Sequence, residues 1–89
     1  MCKNFKYLDE LIHGEASEIV LDADIALSDS EEARYREGIE LDVDDLVIDG
    51  NGHTIDARGK TQIFDVAGKN ILIKNYETRN YLERYHRKI

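Results

Sequence analysis

Apolar positions along the chain follow two different periods. Phe5, Leu8, Leu11 and Ile12 have the spacing of one helical face. Asn4 stands where a side chain can cap the first turn, and Gly14 stands where a helix ends. The pattern predicts a short amphipathic helix within residues 4–14. From Glu18 the period becomes two: Ile19, Leu21 and Ala23, then Ile25 and Leu27, with Asp22 and Asp24 facing the other way. This predicts an interrupted strand. Residues 28–37 have no apolar face and read as a loop or a single helical turn.

Two later segments repeat. Ile39, Leu41, Leu46 and Ile48 recur 25 positions on as Phe64, Val66, Ile71 and Ile73. Each copy is two alternating apolar pairs separated by four turn residues. A shorter earlier copy fits at an offset of 20, aligning Ile19 and Leu21 with Ile39 and Leu41; with one turn residue fewer, Ile25 and Leu27 then stand where Leu46 and Ile48 would follow. A fixed period in this range predicts stacked coils, because one coil cannot cover its own apolar face. Between the copies lies the turn Asp49, Gly50, Asn51, Gly52, where Gly50 or Gly52 is expected to hold a positive φ. His53 to Asp56 then reads as another brief strand, and Ala57 to Thr61 as a second corner. An antiparallel hairpin, Leu46 to Ile48 against His53 to Ile55, is the competing reading, but it gives no reason for four matched apolar positions.

Composition narrows this picture. Eighty-nine residues make one small domain with a thin core. No apolar run is long enough to span a bilayer, and the N-terminus lacks an export signal, so the chain as written is expected in the cytoplasm. The net charge of −7 is unevenly divided. Residues 1–68 carry 17 acidic and 6 basic side chains, whereas residues 69–89 carry 2 and 6. An acidic body repels phosphate, so nucleic acid is not an expected partner. The acidic runs at Asp42, Asp44 and Asp45 and at Ser28 to Glu32 read as solvated surface. From Asn80 the tail reads as helix, with Asn80 and Glu83 as a capping pair.

The segments Phe5 to Ile12, Ile19-x-Leu21-x-x-Asp24-Ile25, Gly38-Ile39, Leu46 to Asp56, Ile63-Phe64 and Asn70 to Asn75 resemble the start of adhesin-like right-handed parallel β-helix proteins of archaea and bacteria. Those proteins are pectate-lyase-like in fold. The IDGNGHTID stretch is the most specific part of the likeness. The resemblance implies an all-β chain, a right-handed parallel β-helix with an N-terminal capping helix, here at 4–14; the chain departs from its longer relatives in having room for only two to three short coils, at 18–75, before a basic, helical tail at 76–89. The resemblance also implies relatives at the cell surface, among which this chain looks like a truncated or cap-only member. The carboxylates and arginine on which pectate lyases depend have no counterparts that can be placed here residue by residue.

Residue chemistry points the same way. Asp45, Asp49 and Asp56 approach a calcium-loop spacing, but Val47 and Gly52 break it in either register, so a tight corner is expected and no metal. His13, His53 and His86 lie in separate elements, short of a zinc ligand set. His53 beside Thr54 lacks an orienting third group. Cys2 is read as an inert thiol. No cofactor is implied. Tyr76, Tyr81, Leu82, Tyr85 and Ile89 form an aromatic and aliphatic stripe, read as an interface for self-association rather than a sugar platform. The expectation is a non-catalytic structural or protein-interaction module that self-associates, with a carbohydrate-binding or polysaccharide-active domain as the alternative.

Overall fold

The computed structural model describes residues 2–79. Helix α1 spans Phe5–Ile12 and buries Phe5, Leu8 and Ile12, the face set by its apolar spacing. Asn4 caps it, its side-chain oxygen accepting the Tyr7 N–H at 3.0 Å. Eight strands follow: β1 Glu18–Val20, β2 Ile25–Ala26, β3 Ile39–Leu41, β4 Leu46–Asp49, β5 Thr54–Asp56, β6 Phe64–Val66, β7 Ile71–Lys74 and β8 Glu77–Arg79.

All described pairings are parallel, and every third strand is a neighbour: β1-β4-β7, β2-β5-β8 and β3-β6. The chain therefore makes successive coils, β1 to β3, β4 to β6, then β7 and β8. The 25-residue repeat is the register itself, with Ile39 on Phe64, Leu41 on Val66, Leu46 on Ile71 and Ile48 on Ile73. Ile19, Ile48 and Ile73 form one column, and Ile25, Ile55 and Thr78 another. Ile48, Ile55 and Ile39 are completely buried, whereas Ile71 and Ile73 in the last described coil are half-buried. At the other end α1 covers the core, and Lys3 bridges the outer edge of β2 through Lys3 N–H to Asp24 O and Ala26 N–H to Lys3 O, both 2.8 Å.

Two expectations need correction, and the competing hairpin reading falls away. The offset-20 copy is not a register: Ile19 pairs with Ile48 and Ile25 with Ile55, at spacings of 29 and 30. The first coil is longer because residues 28–38 make an excursion, with a 3-10 turn at Asp29–Glu31, between β2 and β3. The hairpin is also excluded, since β4 and β5 lie in different sheets. Finally, the coils run past residue 75: Asn75 turns with a φ of 58°, and β8 then pairs with β5. Its sequence, Glu-Thr-Arg, lacks the apolar alternation that marks the other strands. The expected tail helix from Asn80 lies outside the described residues.

Candidate functional site

The corner between β4 and β5 has four residues, Gly50 to His53, where the corresponding corner of the next coil has only Asn75 and Tyr76. The longer corner overhangs the shorter one. It is built on positive φ at Asn51 (54°) and Gly52 (80°). Gly50 has no positive φ but is required for another reason: a Cβ there would lie 2.6 Å from Asn75 O and closer still to Tyr76 Cβ. Backbone bonds lock the corners together, Gly50 N–H to Lys74 O at 2.7 Å and Gly52 N–H to Asn75 O at 2.8 Å. Between them opens a cleft of about 540 Å³ lined by Asp49, Asn51, Gly52, Asn75, Tyr76 and Glu77.

Asp49 organises this cleft. One carboxylate oxygen accepts the Asn51 N–H at 2.9 Å and Asn75 Nδ2 at 3.1 Å. The Asn75 bond, then the Asn51 bond, hold its pKa below the ordinary carboxylate value. The Asn51 side chain points to the preceding coil, its Nδ2 donating to Leu21 O at 3.2 Å. The cleft thus joins an aromatic ring, two carboxylates and two amides, of which Asp49, Asn51 and Asn75 are committed to holding coils together.

The same use of aspartate recurs around the molecule. Asp24 accepts Thr54 N–H and pairs with His53 Nδ1, both at 3.0 Å. Asp29 pairs with Arg58. Asp44 accepts Lys69 N–H at 2.9 Å, and Asp45 accepts Asn70 Nδ2 at 2.8 Å. Thr61 and Gln62, both buried, donate to Arg36 O and Glu37 O at 2.8 Å. The acidic runs lie at the surface as expected, apart from buried Glu31, but they are not only solvated. Many of these carboxylates are acceptors that tie one coil to the next.

A second cluster fastens α1 to the first coil. Glu31, only 6% exposed, accepts the Phe5 N–H at 3.1 Å and Ser28 N–H at 3.0 Å on Oε1, and Lys6 N–H at 2.7 Å on Oε2. Burial opposes its charge, but the donated bonds outweigh it and its pKa falls. The Ser28-x-x-Glu31 spacing is the sequence signal for this residue; its service to a distant helix has none. Tyr35 donates its hydroxyl to Asp9 at 2.7 Å, and His13 spans Asp9 Oδ1 at 2.8 Å and Asp42 Oδ1 at 2.7 Å. Burial alone would lower the His13 pKa, yet the bonds to Asp42 and Asp9 raise it. This cluster was missed in the sequence: the i,i+4 spacing of Asp9 and His13 is the signal for one contact, and Asp42, 29 residues from His13, has none.

Of the predicted site residues, Asp49 ends β4 and Gly50, Asn51 and Gly52 lie in the overhanging corner, while Tyr76 lines the cleft with Asp49, Asn51 and Gly52. Tyr81, Leu82, Tyr85 and Ile89 lie outside the described residues. His13 and His53 serve separate clusters. Among the described residues no three His, Cys, Asp or Glu side chains are grouped to hold a metal, and no helix is long and apolar enough to cross a membrane. Residues 6–86 match the family described as "Putative pectate lyase-like adhesive domain". No curated protein and no solved structure matches the chain.

Proposed function

The chain belongs to the pectate lyase-like adhesive domain family, and from that membership we propose that it is a non-catalytic structural and protein-interaction module, wound as a right-handed parallel β-helix. The observation that carries this reading is the use made of the corner aspartates. Asp24, Asp29, Asp44, Asp45 and Asp49 each accept a hydrogen bond from the following coil. These bonds give the carboxylates a structural use in stacking that needs no catalytic role to explain it. The module works through its surface.

A second reading, carbohydrate binding, is favoured by one feature: the Tyr76 ring beside Asp49, Asn75 and Glu77 in an open cleft. Amide-resolved NMR titration with neutral and acidic oligosaccharides separates the two. The structural reading expects no saturable shift at Asn75, Tyr76 or Glu77; a saturable shift there would replace it with the carbohydrate reading. Self-association through Tyr81, Leu82, Tyr85 and Ile89 is part of the proposal. The basic segment 69–89 of one copy is complementary to the acidic body of another. Light scattering on the intact chain and on a Leu82→Lys, Tyr85→Lys variant tests it. A dimer lost in the variant supports the interface, and a monomeric intact chain refutes it.

A further inference from the structure

We propose that Asn51 is a spontaneous deamidation site whose reactivity is governed by coil stacking, silent while its neighbouring coils are seated and exposed when the third coil lifts. The chemistry belongs to the dipeptide Asn51-Gly52. The Gly52 backbone nitrogen attacks Asn51 Cγ, forming the N–Cγ bond of a succinimide. The Cγ–Nδ2 bond breaks, and the amide leaves as ammonia, taking the proton given up by Gly52 N–H. Water then opens the ring at either carbonyl, giving aspartate or isoaspartate at position 51. No oxidant or reductant enters. Glycine at 52 matters because it has no side chain to obstruct the attack, and space around its Cα is open.

In the folded chain both reacting groups are occupied, by different coils. The nucleophile, Gly52 N–H, donates to Asn75 O at 2.8 Å in the coil that follows. The leaving group, Asn51 Nδ2, donates to Leu21 O at 3.2 Å in the coil that precedes. Asn51 N–H is in turn held by Asp49 Oδ1 at 2.9 Å. Reaction requires Asn51 Cγ to swing onto Gly52 N, which breaks the Leu21 and Asn75 bonds together. The third coil is the one able to release its part. Its Ile71 and Ile73 are half-buried while Ile48 above them is fully buried, so its opening exposes less new apolar surface than opening of the second coil.

The conversion does not reverse. A carboxylate at position 51 cannot donate to Leu21 O, and it adds a negative charge beside Asp49. Isoaspartate also routes the backbone through an extra carbon in a corner where a single added Cβ at Gly50 already has no room. Each opening of the third coil thus risks fixing the corner open. The corner between β4 and β5 becomes a record of how often the third coil has come away from the second.

The experiment is intact-mass and peptide-map analysis of the full chain incubated at neutral pH, with isoaspartate detected enzymatically, beside a peptide spanning Ile48 to Asp56 and the chain unfolded in urea. The peptide and unfolded chain are expected to gain one mass unit at Asn51 at similar rates. The native chain is expected to lag by roughly tenfold or more, because only the opened fraction reacts. Ile73→Ala, which loosens the third coil without touching the corner, should raise the native rate toward that of the peptide, and Gly52→Ala should slow all forms. Native conversion as fast as the peptide would overturn the guarding role. So would an Ile73→Ala chain that exchanges its third-coil amide hydrogens faster than the parent while deamidating no faster. Neither result bears on the interaction-module reading, which the oligosaccharide titration decides.

Discussion

Replacing Glu31 by alanine removes the acceptor for two of the N–H groups at the start of α1. Helix N-termini leave such groups without intrahelical partners. Here Asn4 takes Tyr7 N–H, and Glu31 takes Phe5 and Lys6 N–H. Phe5 is completely buried, so water cannot replace its lost acceptor, and an orphaned buried donor costs about 1–3 kcal/mol. Lys6 is exposed and its N–H can be rehydrated, so it adds about 1 kcal/mol for a lost charge-assisted bond. A carboxylate at the positive end of the helix contributes about 0.5 kcal/mol more. The expected loss is about 3 kcal/mol, out of roughly 5–15 kcal/mol for a domain. Urea unfolding followed by far-UV circular dichroism reads it as a midpoint lower by about 2–3 M, for a slope near 1 kcal/mol/M. Linkage supplies an independent check. Because the folded Glu31 pKa lies below its usual 4.5, its contribution is complete above that value and is lost as pH falls through the folded pKa. The alanine variant should therefore lose less stability on acidification than the parent. A Glu31→Ala chain within about 0.5 kcal/mol of the parent, the ordinary range of surface changes, would refute the capping argument.

Ile48→Ala should cost about 2–5 kcal/mol, since the residue sits fully buried between Ile19 and Ile73; a thermal melt that does not move would contradict the column. Gly50→Ala should destabilise by about 1–3 kcal/mol through its collision with Asn75 and Tyr76. Gly52→Ala should cost about 1 kcal/mol for the strained φ alone. Equal stability of the two glycine variants and the parent would place the coil contact elsewhere. His13 should titrate above 6.5 by NMR, and Asp42→Asn should lower its midpoint. Since the folded pKa is raised, the stabilisation from this bridge is complete below 6.5 and disappears as pH rises through the folded value. A His13 midpoint at or below 6.5 would remove the bridge from the account.

The repeat from Ile39 to Ile73 was readable because stacked coils place the same inward position one above another, and side-chain alternation records that position in the sequence. The first coil hid its register for a physical reason. From Ile25 to Ile39 is 14 residues, whereas the equivalent Ile55 to Phe64 is 9, because the first coil detours to bring Glu31 and Tyr35 against α1. An apolar period cannot register a detour whose purpose is polar. Strand β8 was missed for a related reason: at the end of the described stack Thr78 continues the Ile25 and Ile55 column, so the inward position is no longer apolar. In the candidate site, the Asp49 to Gly52 corner was legible through its glycines. The cleft was not, because it arises from a difference in length between two corners in separate coils.

The division of charge acquires a meaning once the register is known. Aspartates 44, 45 and 49 of the second coil stand over residues 69, 70 and 74 of the third at the same 25-residue spacing, and those residues are Lys69, Asn70 and Lys74. Acceptors on one coil thus meet donors on the next: Lys69 gives a backbone N–H, Asn70 a side-chain amide, and Lys74 a positive charge that helps keep Asp49 ionised. Had the acids been repeated at these positions, like charges about 4.8 Å apart would have repelled along the stack. The direction is consistent, since Asp24 and Asp29 of the first coil also look forward, to Thr54 and Arg58 of the second. Between residues 44 and 74 the acids of one coil therefore meet amide donors and, at Lys74, a cation on the next, so the local change of charge follows the stacking. It belongs to the way the coils hold one another before it says anything about a partner.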